Sequence, residues 1–397
     1  AEGGASEVHT VEDQHVAQRK RLAGHEKRPR HRNNKGGTVG HYGVEVAGVS
    51  YNGHIANPNV SPVLPQLDGL RGLAALGILT THVAFQTGLT STFVERFDYF
   101  VAVFFALSAF LLSRGQWVAK GYYYRRLVRL APAYLTCVTV VLVVLPPLTH
   151  VSLQQVLANI FLLQVYVPDG LIEGLTQLWS LCVEVAFYLV LPAYMALGER
   201  GRQLALLIAV PFGLAWPWLV DQQTWPPSYA PWFAVGLVLA ELERLGVRWR
   251  GPRWPWLLAA AAIAYLAGLA GPAGLTHPTP AEFNMRVILG TFFAAFIVGP
   301  YALAGPATSA DTVLASRPMR TLGRWSYSLF LWHVAVLYFA FPTLGVPWFS
   351  GHFVPMWVFT TAASLVVSYA SYELVERPAA AAMAKHPAKV SKRLSPA

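Results

Sequence analysis

Residues 175–197 read Leu175-Thr176-Gln177-Leu178-Trp179-Ser180-Leu181-Cys182-Val183-Glu184-Val185-Ala186-Phe187-Tyr188-Leu189-Val190-Leu191-Pro192-Ala193-Tyr194-Met195-Ala196-Leu197. The stretch carries a single charge, Glu184, about ten residues in. About 20 mainly apolar residues are enough for a helix to cross the hydrocarbon layer. It therefore reads as a transmembrane helix with one carboxyl at membrane depth. Outward from it, comparable apolar runs fall at 69–89, 99–113, 133–149, 203–220, 229–242, 254–270, 285–304, 322–341 and 353–375. The run 229–242 is short and suits a helix packed inside the bundle. Residues 153–167 are amphipathic and suit an interfacial or re-entrant segment. The pattern predicts an all-α polytopic membrane bundle of about ten transmembrane helices.

Composition points the same way. The 397 residues are 54% hydrophobic and only 13% charged, against about 25% charged in soluble domains, and the mean hydropathy is +0.41. The net charge of +10 has a positional explanation. Of the 30 Lys and Arg residues, 27 fall in the N-terminal segment, in the connections 114–132 and near 200, 248 and 320, and in the C-terminal segment. All of these lie on one side of a ten-helix arrangement. Only Arg96 and Arg286 fall on the other side, and Arg71 lies within the first span. This asymmetry predicts that both termini are cytoplasmic in a plasma membrane, and it accounts for the basic charge without a nucleic-acid partner. Trp225, Pro226, Pro227 and Trp348 cluster at the opposite interface, as an aromatic belt does.

Residues 1–60 hold many basic, His and Gly residues and few large apolar ones. Such a segment buries too little surface to offset its ordering entropy, so it is expected to be a disordered basic cytoplasmic tail without a signal-peptide core. Residues 61–378 form the expected membrane domain and 379–397 a second basic tail. Cys137 and Cys182 both lie in apolar runs, which supplies neither a disulfide framework nor metal-ligand spacing; no metal is expected.

Ionisable groups at membrane depth are costly and mark function by default. Four stand out: Arg71, His82, Glu184 and His333. Arg71 and His82 are eleven positions apart, about three turns and 16 Å along one helix, so they share a face. Three titratable groups at similar depth on three helices suggest one polar cavity; separate local hydrogen bonds are the alternative. Arg125, Arg126 and Arg129 follow Tyr122-Tyr123-Tyr124 in a basic connection. They suit an ordinary positive-inside loop, or a phosphate site, because guanidinium binds phosphate bidentately. Pro132 is a position where the chain is expected to kink.

Taken together, these pieces resemble the acyltransferase family 3 proteins, bacterial integral-membrane O-acyltransferases. Leu67-Asp68-Gly69-Leu70-Arg71-Gly72 with His82 is similar to the family's Arg-x10-His element. Phe100 through Leu111 resembles its second-helix motif, with Ala102 and Ala109 where Gly is expected. Arg125-Arg126-Leu127-Val128-Arg129-Leu130-Ala131-Pro132, Trp179-Ser180-Leu181 with Glu184, Gly323 through His333, and Glu376-Arg377-Pro378 follow in the family's order. The likeness covers about residues 64–378.

The resemblance implies acyl transfer from acyl-CoA, with acetyl-CoA the common case, to a hydroxyl acceptor. That acceptor is a cell-envelope glycan, a glycolipid or a secondary metabolite. Arg125, Arg126 and Arg129 would hold the donor phosphates, with Arg71 further in. His82 would be the general base, suited by an ordinary pKa near neutrality, and Glu184 would orient it. Trp179, Ser180, Tyr327 and His333 would position substrate or the oxyanion. An acyl-enzyme at Cys182 is the weaker route, since a thiolate needs electropositive surroundings and Glu184 is near. The rival class is a proton-coupled transporter or flippase in which the His and Glu residues relay protons; such a protein has no use for the Arg cluster.

Overall fold

The computed structural model describes residues 64–114, 117, 119–144, 151–269, 277–304 and 312–385. The tail expected at 1–60 lies outside them, as do residues 386–397 of the second tail. Helix α1 (Pro65–Thr87) starts on a proline, whose missing N–H costs nothing at that position, and ends where Gly88 turns left-handed at φ 74°. A 3₁₀ turn, Val94–Tyr99, leads into α2 (Phe100–Ser113). Then come α3 (Tyr122–Val144) and the short α4 (Leu153–Ile160), which is opened by a Ser152/Gln155 capping box. The turn Thr176–Leu178 leads into α5 (Trp179–Ala196), followed by α6 (Glu199–Leu219), α7 (Ala230–Arg244) and α8 (Trp254–Gly268). Helix α9 (Pro280–Ala302) starts on a Thr279/Glu282 capping box, and α10 (Arg317–Leu344) ends at Gly345. Helix α11 (Phe353–Ser371) passes through a π-helical turn, Tyr372–Glu376, into α12 (Arg377–Lys385).

Each of the ten apolar runs carries a helix over its described residues, and no β-strand forms among the described residues. Among the described residues, seven helical segments are long and apolar enough to cross a membrane: 94–113, 122–144, 176–196, 199–219, 280–302, 317–344 and 353–382. Helix α1 is long but diluted by Asp68, Arg71 and His82, and α7 and α8 have 15 residues each. On α6, Leu207 and Leu219 are 72% and 68% exposed, with Leu204, Ile208 and Trp218 also uncovered. An exposed apolar face of that extent suits lipid rather than water.

Two boundaries differ from the sequence expectation. Helix α3 begins at Tyr122, eleven residues before the apolar run, so Arg125, Arg126 and Arg129 ride on its first turns instead of a loop. Pro132 removes one i→i−4 hydrogen bond, yet the helix continues through it, with the Thr136 hydroxyl donating to the Pro132 carbonyl at 2.8 Å. Helix α1 likewise begins at Pro65 rather than 69, and it ends at Thr87, five residues after His82. The last helix also runs on to Lys385, past the expected domain boundary at 378.

Helices α1 and α10 form the centre. Glycines bring their backbones together: a Cβ at Gly323 would lie 2.0 Å from the Asp68 carbonyl oxygen, and one at Gly72 would lie 2.9 Å from the Gly323 nitrogen. Ten residues further along both chains, the rings of His82 and His333 meet. Equal advance in the same direction means the two helices run parallel. The alanine at 109 is accommodated from the other side. Gly236 of α7 packs on the Ala106 carbonyl and the Ala109 methyl, so α7 supplies the small residue that α2 lacks. Beside that contact Phe105, Phe233 and Phe187 stack in series, with centroids 4.4 and 4.3 Å apart. At the basic face, Arg114 pairs with Glu243 and both Arg202 and Arg244 pair with Glu241, tying the ends of α2, α6 and α7 together.

Candidate active site

Two polar groups lie along α1. The first belongs to the face opposite the basic one. Here the end of α1, the turn before α2, the starts of α5, α7 and α9, residues 221–224 and the end of α10 enclose a cavity of about 1800 Å³. His82 lines it, together with Trp179, Tyr229, Trp232 and a charged cluster of Glu95, Arg96, Asp98 and Arg286. Arg96 and Arg286, the two basic residues that the sequence sets apart from the others, therefore converge on one wall. His333, 1% exposed, stands behind His82 with ring centroids 5.2 Å apart and planes at 51°. Its Nδ1 is 3.0 Å from the Leu329 carbonyl and 2.9 Å from that of Phe330.

The second group lies toward the start of α1. The Glu184 carboxylate accepts hydrogen bonds from the Ser108 hydroxyl and, at 2.5 Å, from the Tyr188 hydroxyl. Arg71 lies in the electrostatic field of Asp68, Glu184, Tyr188 and Arg129. Arg126 faces Tyr188, Tyr122 and Arg129, and its Nε is buried without a hydrogen-bond partner. The π-turn completes the group. It aims Glu376 at the Ser328 hydroxyl, which donates to it at 2.5 Å, with Arg129 and Arg71 within electrostatic reach. Such π-turns recur at functional sites.

The structure thus brings Arg71, Arg126, Arg129 and Glu184 together and sets His82 and His333 apart from them. Glu184 does not line the cavity and makes no hydrogen bond to His82 among the described residues; its carboxylate serves the Arg71 group. The single polar cavity expected for all three titratable groups is not formed: His82 lines the cavity with His333 against it, whereas Glu184 bonds Ser108 and Tyr188. Arg125 turns away and donates to the Lys120 carbonyl at 2.6 Å. Ser180 donates to Gln177 within its own turn, and the Tyr327 hydroxyl donates to the Leu130 carbonyl at 3.0 Å. Cys137 and Cys182 are buried and unbridged. Ser108, Tyr188, Ser328 and the setting of Glu376 were missed from sequence. Tyr188 had a usable signal, its i,i+4 spacing from Glu184.

Residues 64–373 match a family profile described as an acyltransferase domain. The chain is 28% identical to the acyltransferase MdmB of Streptomyces mycarofaciens, over 71% of this chain and 81% of that protein. It is 22% identical to the peptidoglycan O-acetyltransferase OatA of Listeria monocytogenes, over 79% of this chain and 55% of that protein. It is 26% identical to the putative peptidoglycan O-acetyltransferase YrhL of Bacillus subtilis, over 79% and 54%. This chain spans about half the length of the latter two. No solved structure matches it.

Proposed function

We propose, from the premise that the chain belongs to this acyltransferase family, that it moves an acyl group from a cytoplasmic acyl-CoA to a hydroxyl held in the far cavity. The observation that carries the reading is the layout of α1. One helix joins an arginine-rich group at the basic face to an imidazole at the wall of a large cavity on the other face. In this reading ten helices span the plasma membrane and both termini are cytoplasmic.

Arg126 and Arg129 bind the donor's phosphates, each charge-assisted hydrogen bond contributing roughly 1.5–3 kcal/mol. Glu184, held by Ser108 and Tyr188, balances the guanidinium of Arg71. The thioester arm extends past Arg71 over the roughly 16 Å that separates it from His82 along the helix. His82 takes the proton from the acceptor hydroxyl, and that oxygen attacks the thioester carbonyl. The new C–O bond forms, the C–S bond breaks, and the departing thiolate of CoA takes up a proton. The acceptor is a glycan, glycolipid or secondary metabolite that fits the aromatic cavity, and the acyl group is acetyl. The transporter alternative has no comparable support, because the relatives carry acyltransferase names.

The test is His82→Ala. A general base contributes about 10²–10⁴-fold, so transfer falls by that factor while insertion and thermal stability are retained. Near-normal turnover in well-inserted protein removes His82 from the reaction.

A further inference from the structure

The pairing of His82 with His333 says more than that two imidazoles touch. A carbonyl oxygen only accepts hydrogen bonds, so the nitrogen that both Leu329 and Phe330 carbonyls face must carry the proton. Nδ1 of His333 is that nitrogen, at 3.0 and 2.9 Å. The neutral ring then has Nε2 as a pure acceptor, and Nε2 is buried without a hydrogen-bond partner among the described residues. A buried acceptor left unmade costs about 1–3 kcal/mol. The nearest ring that can supply a donor is His82, at a centroid separation of 5.2 Å. Two imidazoles joined in line by an N–H···N bond of about 2.9–3.0 Å have their centroids roughly 5 Å apart, so a small rotation of the half-buried His82 makes the bond.

We propose that His333 is the positioning residue of His82: Nε2 of His333 takes the N–H of His82, leaving the other His82 nitrogen unprotonated and facing the cavity. His333 thereby sets which tautomer of the base is present. When His82 takes the acceptor's proton it becomes an imidazolium whose inner N–H stays bonded to His333, so the cation formed in the transition state is stabilised. His333 itself never meets the substrate; it is not on the cavity wall. The parallel packing of α1 and α10 provides the register, because Gly72 meets Gly323 ten residues before each histidine. Glu95, Asp98, Glu173 and Arg96 line the same cavity, while Arg71 stands three turns away along α1. The inference rests on the reading of His82 as base, and the test separates the two.

The test compares His333→Gln with His333→Phe in the full-length protein. Gln keeps a donor for the α10 carbonyls and an oxygen acceptor for His82; Phe keeps the ring volume alone. His333→Phe is expected to lower kcat at least tenfold with KM for donor and acceptor unchanged. The acid limb of its pH–rate profile moves to lower pH, because the charged form of His82 has lost its acceptor. His333→Gln recovers most of kcat and the original limb. Nitrogen-15 spectra of histidine-labelled protein, assigned by the signal missing in His333→Gln, show His333 protonated on Nδ1 only. A His333→Phe protein with normal kcat and pH profile overturns the dyad, as does a Phe variant that outperforms Gln, which marks a packing role. If His82→Ala is itself active, the base assignment fails first, and the spectra still report whether His333 holds the stated tautomer.

Discussion

The tight crossing of α1 and α10 makes a quantitative demand on activity. Gly323 lies so close to α1 that an added Cβ would sit 2.0 Å from the Asp68 carbonyl oxygen, whereas real Cβ atoms essentially never come within 3.0 Å of a neighbour. Gly323→Ala therefore forces the helices apart by about 1 Å or more. Both partners at that contact are backbone, so no side chain can swing away. Overpacking of this kind costs typically 1–3 kcal/mol, which leaves a bundle of this size folded. The same separation is transmitted along two straight helices to His82 and His333, three turns on. A misplacement of about 1 Å at a reacting group costs on the order of 10²-fold in rate. Gly323→Ala is thus expected to retain insertion and most of its thermal stability while losing about 10²-fold in turnover. Gly72→Ala, whose added Cβ would lie 2.8 Å from the Leu322 side chain and 2.9 Å from the Gly323 nitrogen, needs a much smaller displacement and should lose less. The assay is acyl transfer in nanodiscs beside thermal unfolding of the same preparations. Full turnover in Gly323→Ala would refute the link between this crossing and the histidine pair.

Other expectations follow from the polar group at the basic face. Arg126→Ala and Arg129→Ala each weaken acyl-CoA binding by about tenfold or more by calorimetry, since 1.4 kcal/mol is a factor of ten, whereas Arg125→Ala, whose guanidinium already bonds the Lys120 carbonyl, weakens it less; equal losses at all three positions would contradict the division. Tyr188→Phe removes one of the two donors to Glu184 and is expected to reduce turnover less than Glu184→Gln, as read from initial rates at saturating donor. Single cysteines replacing Lys120 and Arg248 label from the cytoplasm and those replacing Gln222 and Trp348 from outside; labelling of Lys120→Cys and Arg248→Cys from opposite sides would break the proposed topology.

Much of the architecture was legible in the sequence because apolar runs of about 20 residues have few alternatives to a membrane helix. Each of the ten runs carries a helix over its described residues, and Pro65, Pro280 and Gly345 mark ends in the way their backbone chemistry dictates. The boundary at α3 was not legible. Helix propagation carries α3 upstream of its apolar segment through Tyr122 and the arginines, and Pro132, where a kink is expected, does not end it. In the site, the grouping of Glu184 with the histidines was not legible, because it depends on which neighbours the carboxylate meets, here Ser108 and Tyr188. The His82–His333 contact was partly readable, because Gly72 and Gly323 stand at identical offsets from the two histidines. The partners of Glu184 depend on how α2 and α5 rotate against each other, which periodicity leaves open, and the π-turn at Tyr372–Glu376 has no signature in the residues themselves.

Transfer from the basic face to a hydroxyl in the opposite cavity makes labelling depend on the side that receives the donor. Protein reconstituted in one orientation receives acetyl-CoA labelled in the acetyl group on one face and an extract of envelope and secreted compounds on the other. Base-labile ester label is expected in the extract when the donor is on the basic face, and is expected to be lost in His82→Ala. Equal labelling with the donor on the cavity face, or undiminished labelling by His82→Ala, would contradict it.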